Sequence, residues 1–66
     1  MKITINGQEK NIPTPTDLRS LIERLCKTPA RVVAELNGEV VRNQEWERRH
    51  LKDGDSVELA NFVGGG

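Results

Sequence analysis

The stretch that decides the fold is Leu18-Arg19-Ser20-Leu21-Ile22-Glu23-Arg24-Leu25-Cys26. Its apolar side chains recur every three or four residues, which places Leu18, Leu21, Ile22, Leu25 and Cys26 in one stripe of an α-helix. Polar residues fill the other face, where Glu23 and Lys27 have the spacing of a favourable ion pair. We predict a helix with this stripe buried. Such a helix needs a second layer of structure to cover it.

The start of this helix has three candidate caps. Thr14 precedes a proline and stands three residues before Asp17, as in a capping box, but Thr16 or Asp17 itself also has a suitable side chain. Pro29 prevents the helix from running further, because the residue before a proline avoids the helical conformation.

The residues before the helix predict a β-hairpin. Ile3 and Ile5 alternate with polar residues, as in a strand with one buried face. The dipeptide Asn6-Gly7 suits a type I′ turn, in which both central residues have positive φ. Gln8 to Ile12 is the predicted return strand, and Pro13 ends it.

The residues after the helix predict three more strands. They are Arg31 to Leu36, Glu39 to Val41 after the Asn37-Gly38 turn, and Ser56 to Phe62 after the Asp53-Gly54-Asp55 turn. In the first of these Val32, Ala34 and Leu36 share a face. Arg42 to Leu51 is polar apart from Trp46 and Leu51, and we expect an irregular stretch there with a turn of 3₁₀ helix.

The predicted order is β-β-α-β-β-β, with one helix to cover one sheet. We therefore predict an α+β fold of the ubiquitin-like β-grasp type. Its mixed sheet of four to five strands packs on the helix, and the first and last strands lie side by side. Residues 1–63 form this domain, and residues 64–66 form a flexible glycine tail.

Composition excludes several classes of function. The 66 residues allow one small domain, and ten basic residues balance ten acidic ones, so neither nucleic acid nor an anionic membrane is expected as a partner. One cysteine and one histidine make neither an internal disulfide nor a four-ligand zinc site. With no apolar run of roughly 20 residues and no leader before Lys2, we expect a soluble cytoplasmic protein, monomeric on its own.

A catalytic site is not evident in the sequence. Asp53 and Asp55 are expected in a turn for local hydrogen bonding, and His50 lies in a polar stretch without a partner. Cys26 falls on the apolar stripe, where cysteine acts as a small hydrophobic residue. The glycines at 7, 38 and 54 are isolated turn residues and do not form a phosphate-binding loop. We predict a carrier or binding module with no enzyme activity of its own.

The chain ends in Gly64-Gly65-Gly66, which is the predicted reactive segment. Three extended glycines reach about 10 Å and fit a tunnel that a β-carbon would block. The terminal carboxylate is ionised at neutral pH and can attack the α-phosphate of ATP to form an acyl-adenylate. The alternative is an inert, disordered tail. Its position directly after a closing strand favours the reactive interpretation.

A docking patch is predicted just before the tail. If Val57 and Leu59 face the helix, Ala60 and Phe62 lie on the open face of the sheet, near Val33. Exposed apolar residues there would hold a partner while the tail is gripped. The alternatives are that Phe62 folds over a sheet edge or that Trp46 covers the patch.

With these segments in place, the chain resembles the ThiS family of thiamine-biosynthesis sulfur carriers over nearly its whole length. The resemblance rests on Met1-Lys2-Ile3-Thr4-Ile5-Asn6-Gly7, Leu36-Asn37-Gly38-Glu39-Val40-Val41, Trp46, and Asp53-Gly54-Asp55-Ser56-Val57-Glu58-Leu59 running to Phe62-Val63-Gly64-Gly65-Gly66. The ending is the most specific part.

The resemblance implies a function and a set of partners. A ThiF-like enzyme uses ATP and magnesium to adenylate the carboxylate of Gly66, and a cysteine desulfurase or other sulfur donor converts it to a thiocarboxylate. A ThiG-like thiazole synthase then takes the sulfur for the thiazole ring of thiamine. Gly65 and Gly66 match the family's terminal diglycine, Gly64 is an additional glycine, and Phe62 and Val63 match positions that approach the activating enzyme.

Three other functions remain open at this point. The small subunit of molybdopterin synthase uses the same terminal chemistry, but it is usually longer and often has prolines before its diglycine, and Asn61-Phe62-Val63 has none. A ubiquitin-like modifier would join Gly66 to a lysine amine. A purely structural β-grasp module would have an inert tail.

Overall fold

The computed structural model describes residues 1–61, so the predictions for Phe62, Val63 and Gly64-Gly65-Gly66 lie outside the described residues. The helix α1 spans Leu18–Leu25. The strands are β1 (Lys2–Ile5), β2 (Gln8–Asn11), β3 (Val32–Leu36), β4 (Glu39–Val41) and β5 (Ser56–Asn61). Two short 3₁₀ segments occupy Pro29–Arg31 and Asn43–Arg48.

The five strands form one mixed sheet in the order β2-β1-β5-β3-β4. Strand β5 lies in the centre, parallel to β1 with Ile5 opposite Val57, and antiparallel to β3 with Ala34 opposite Leu59. The two hairpins β1-β2 and β3-β4 therefore meet only through β5 within the sheet. The prediction of a β-grasp sheet with the first and last strands side by side is confirmed.

Both Asn-Gly turns have the predicted conformation. Asn6 and Gly7 have φ of 50° and 83°, and Asn37 and Gly38 have φ of 52° and 85°. Positive φ at both central residues makes a two-residue turn whose twist matches that of the strands it joins. Because the turn length sets the pairing register, Ile3 and Ile5 of the first hairpin and Ala34, Leu36 and Val41 of the second all lie on the helix side.

Asp17 caps the helix, and this result decides between the three predicted starts. Its carboxylate accepts hydrogen bonds from the Ser20 backbone N–H at 3.2 Å and from the Ser20 hydroxyl at 2.7 Å. Helix α1 begins at Leu18, so a capping box started by Thr14 is wrong. Thr16 instead turns its hydroxyl to the carbonyl of Pro13. A carboxylate is the better cap because it accepts from exposed N–H groups and opposes the positive end of the helix.

The far end of the helix differs from the prediction. The helix ends at Leu25, whose side chain is 52% exposed, and Cys26 is only half-buried. The stripe therefore covers the sheet only as far as Ile22. The predicted pair of Glu23 with Lys27 is also wrong, because Lys27 lies beyond the helix. Glu23 pairs one turn back with Arg19 at 3.5 Å.

The core lies between α1 and one face of the sheet. Its buried members come from every element of the fold except β2 and the first 3₁₀ segment: Ile3, Ile5, Leu18, Leu21, Ile22, Val32, Ala34, Leu36, Val41, Trp46, Leu51 and Val57. Trp46, in the predicted 3₁₀ segment, donates its indole N–H to the carbonyl of Val41 at 2.9 Å. The largest side chain of the core is thereby hydrogen-bonded as well as buried.

Two strand limits need correction. Arg31 belongs to the 3₁₀ segment, and β3 begins at Val32, because Pro29 favours a turn before the strand. Strand β2 ends at Asn11. Ile12 follows it but still donates its N–H to the carbonyl of Met1 at 2.8 Å. Within residues 1–61 no helix has the length and hydropathy of a membrane span.

Candidate functional site

Strand β5 carries the chain from the centre of the sheet towards the predicted reactive tail. Val57 and Leu59 face the helix, as predicted, with Val57 fully buried and Leu59 packed against the core. Ala60 is exposed on the open face and stands opposite Val33 of β3. Val33 is 45% exposed. The structure thus brings Ala60 and Val33 together where the sequence placed them, and their binding role stays a prediction.

Val40 is a third apolar residue on this face that the sequence reasoning missed. It pairs with Glu35 in the β3-β4 hairpin, so it lies diagonally across from Val33, and it is 62% exposed. The sequence does contain the information needed to place Val40, because a two-residue turn at Asn37-Gly38 fixes which residues of β4 share the face of Val33. We call Val33, Val40 and Ala60 the open-face patch.

Two carboxylates border the open-face patch. Glu35 of β3 stands directly opposite Glu58 of β5, on the same face as Val33 and Ala60. Like charges in opposite positions of a sheet destabilise it slightly. The pair places two acidic side chains next to each other at the border of the patch.

The alternative in which Trp46 covers the open face is excluded. Its ring is buried in the core on the helix side, where Arg19 of α1 lies 5.8 Å from the ring centroid. The alternative in which Phe62 folds over a sheet edge lies outside the described residues.

The other candidate residues have structural surroundings. Asp53 accepts the Lys2 N–H at 2.7 Å, and Asp55 accepts the Lys52 N–H at 2.8 Å and the Asn37 amide at 3.0 Å. Both aspartates therefore organise the turn before β5, as predicted. His50 is exposed, in agreement with a solvated loop position.

Hydrogen bonding lowers the pKa of the Asp17 carboxyl, chiefly through the Ser20 hydroxyl. This residue lies at the start of α1 and serves as its cap. Among residues 1–61, no group of three or more His, Cys, Asp or Glu side chains is arranged to hold a metal ion.

A groove opens between the C-terminal end of α1 and the adjoining ends of the internal strands β1, β3 and β5. Its volume is about 390 Å³, and its lining includes Leu25, Cys26, Val32, Leu59 and Ala60. Cys26 thus borders the groove with part of its side chain exposed, and the prediction that it is buried in the stripe needs this correction.

The side chain of Asn6 bonds to both backbone groups of Leu59. Its Oδ1 accepts from the Leu59 N–H at 2.8 Å, and its Nδ2 donates to the Leu59 carbonyl at 3.3 Å. The backbone N–H of Asn6 also donates to the carbonyl of Val57 at 2.9 Å. Asn6 is therefore attached to the central strand β5 by three hydrogen bonds.

These features define a class of protein: a small β-grasp domain whose central strand leads into a glycine terminus. A sequence model of the ThiS family matches residues 3–66. The chain therefore belongs to the ThiS family. The solved structure of the thiamine biosynthesis protein ThiS from Geobacter metallireducens has a TM-score of 0.86 and 33% identity, with all of both chains covered.

Two curated relatives extend the comparison. The sulfur carrier protein ThiS of Escherichia coli is 26% identical over 66 residues, which cover all of both chains. The thiazole synthase of Paramagnetospirillum magneticum is 33% identical over 66 residues, which are all of this chain and 20% of that protein. The chain thus spans a fifth of the length of the first curated relatives it matches.

Proposed function

We propose that this protein is the sulfur carrier of thiamine biosynthesis, with the carboxylate of Gly66 as its reactive group. The observation that carries the proposal is a family match that runs from residue 3 to the terminal Gly64-Gly65-Gly66. A ThiF-like enzyme, with ATP and magnesium, activates the carboxylate. A cysteine desulfurase or another donor supplies the sulfur, and the domain itself catalyses no step.

The chemistry proceeds by displacements at phosphorus, carbon and sulfur. A carboxylate oxygen of Gly66 bonds to the α-phosphorus of ATP, and pyrophosphate leaves. The outer sulfur of a donor persulfide then attacks the acyl carbon, AMP leaves, and an acyl disulfide forms. A second thiol attacks the donor-side sulfur of this disulfide, so the donor becomes a disulfide with that thiol and the carrier is released as a thiocarboxylate, a soft anion that can attack the electrophilic acceptor in the synthase. Gly64 and Gly65 pass through the partner's active site, where a β-carbon would obstruct the chain.

We propose that the partner enzymes bind the open-face patch and strand β5. Ordering three glycines costs about 1–2 kcal/mol each, so a partner needs contacts elsewhere to hold the carrier. Val33, Val40 and Ala60 offer these contacts on β3, β4 and β5, beside the strand that leads to the tail. Phe62 and Val63 continue the docking segment.

A relative supports thiazole synthase as the acceptor. The thiazole synthase of P. magneticum includes a region similar to this whole chain. Two activities joined in one polypeptide act at high effective concentration, which is useful when one delivers a reactive group to the other. We therefore propose a ThiG-like synthase as the enzyme that receives the sulfur.

Intact mass spectrometry tests the proposal. The protein is incubated with ATP, magnesium, a ThiF-type enzyme and a sulfur source. A mass gain equal to the exchange of one oxygen for sulfur is expected. Covalent ladders on lysines of other proteins would instead indicate a ubiquitin-like modifier. Transfer of the sulfur to a pterin, with none to thiazole synthase, would indicate a molybdopterin-synthase subunit.

Deletion of Gly66 supplies the control. The shortened chain is expected to gain no sulfur while its thermal unfolding midpoint stays unchanged, because a glycine has no side chain to bury. A large fall in the midpoint would mean that the tail is part of the folded core. Full thiocarboxylation of the shortened chain would contradict the assignment of Gly66.

A further inference from the structure

The two Asn-Gly turns bind the two ends of the same strand. Asn37 bonds to the start of β5: its Oδ1 accepts from the Ser56 N–H at 2.9 Å, and its own N–H donates to the Ser56 carbonyl at 2.7 Å. Asn6 bonds towards the end of β5, at Leu59. Both asparagines have positive φ and the same position in their turns. They differ in which end of β5 they hold.

Asn6 replaces hydrogen bonds that the turn removes from the ladder. In the parallel pair of β1 and β5, Thr4 donates to the carbonyl of Asp55 and Asn6 donates to that of Val57, at 2.9 Å each. If the evenly spaced hydrogen bonds of this parallel pair continued, the Leu59 N–H would next donate to the backbone carbonyl of residue 6. The backbone N–H of residue 8 would then donate to the Leu59 carbonyl. The chain turns away at Gly7, so the Asn6 amide fills both places: its oxygen accepts as the carbonyl would, and its nitrogen donates as the next N–H would.

We propose that Asn6 is a positioning residue, which fixes the direction in which β5 delivers the chain towards Gly66. The inference rests on the proposed function. Leu59 is the last residue of β5 that the β1 side holds, because the pairing of β1 ends at Ile5. At Ala60 and Asn61, the last described residues of the strand, the pairing is with β3 alone. Asn6 therefore determines the last residue at which β5 is hydrogen-bonded on both sides.

A misdirected strand should lower the rate of activation by the partner enzyme more than it weakens the binding of that enzyme. A partner docked on the open-face patch still contacts Val33 and Val40, which are on β3 and β4 and do not depend on Asn6. The terminal carboxylate, however, reaches the α-phosphate in fewer of the docked complexes. Small displacements of reacting groups cost large factors in rate. The expected effect is a lower kcat for activation at an unchanged KM.

Asn6→Gly and Asn37→Gly form a matched pair for the test. Glycine accepts positive φ, so each substitution removes the amide and keeps the turn. Activation of both variants and the unchanged protein is followed with a ThiF-type enzyme by intact mass. We expect N6G to lower kcat about tenfold at constant KM, and N37G to leave kcat unchanged. N6D keeps an acceptor for Leu59 but no donor, and is expected between N6G and the unchanged protein.

Amide hydrogen exchange checks the geometry independently of activity. The Leu59 amide should exchange faster in N6G, and the Ser56 amide in N37G, because each loses its acceptor. Equal kcat in N6G and N37G, whether lowered or not, would overturn the positioning role while the proposed function stands. Failure of the unchanged protein to gain sulfur would overturn the proposed function, and the inference with it.

Discussion

Asp17 shows how one side chain fixes the end of an element. Its carboxylate accepts two hydrogen bonds from Ser20, and its backbone carbonyl accepts the N–H of Leu21 at 3.1 Å. The backbone of Leu18 donates to the carbonyl of Arg49 at 2.9 Å, which joins this helix start to the segment before β5. Loss of the cap should therefore loosen the helix and its contact with that segment.

Replacement of Asp17 by alanine should lower the free energy of unfolding by about 1 kcal/mol, the usual cost of a lost N-cap. Urea denaturation followed by the fluorescence of the buried Trp46 measures the change. Asp17→Asn is the control, because asparagine caps helices nearly as well. An alanine variant as stable as the unchanged protein would show that the cap contributes nothing here.

The same residue predicts a dependence on pH. Hydrogen bonds from Ser20 lower the folded-state pKa of the Asp17 carboxyl below its ordinary value. This contribution to stability is complete above the unfolded pKa of about 3.9 and is lost as the pH falls through the folded pKa. In acid, the unchanged protein should therefore lose stability relative to Asp17→Asn, whose cap does not titrate. A constant difference between the two from neutral pH to pH 2 would contradict the role of the charge.

At the level of elements, Leu21 and Leu25 of α1 show that residues of one apolar stripe can differ in burial. Leu21 is 1% exposed and Leu25 is 52% exposed, although both belong to the same stripe. Leu21→Ala should lower the free energy of unfolding by about 2–5 kcal/mol, and Leu25→Ala by less than about 0.5 kcal/mol. Denaturant titration of both variants measures the contrast. Equal losses would mean that Leu25 packs against something in solution.

This contrast shows what the sequence could predict. The 3.6-residue period places Leu25 on the apolar face, but it contains no information on where the sheet beneath the helix ends. The Asn-Gly turns were more informative, because a two-residue turn fixes conformation and register together, and the faces of β1 and β3 followed from it. The bonds of Asn6 to Leu59 were not accessible, because they join residues 53 positions apart through the register of β1 with β5.

For the whole molecule, some residues of the candidate site could be predicted from the sequence and others were missed. Glycine composition at the terminus indicated Gly66 as the reactive group, since that inference needs no coordinates, and it stays a prediction because the tail lies outside the described residues. Placement of Ala60 beside Val33 followed from strand alternation and is confirmed. Val40 was missed although the Asn37-Gly38 turn places it on the face of Val33.

The exposed side chain of Val33 provides a test of docking on the open face. Val33→Ser should raise the KM of the activating enzyme about fivefold with little change in stability, because the side chain is exposed and its contacts form only on binding. Leu25→Ser is the matched control, an exposed apolar residue on the helix side. Steady-state thiocarboxylation measures both. An equal KM for the two variants would mean that the partner does not use the open face.

The central place of β5 also governs the order in which a growing chain can fold. During synthesis both hairpins and the helix emerge before Ser56–Asn61, and within the sheet the hairpins have no contact until that strand arrives between them. Until then β1 and β3 each present a free strand edge, of the kind that pairs with other chains. The nascent domain must therefore wait for its final strand, and a chain interrupted before Ser56 would be left with two open edges that invite aggregation.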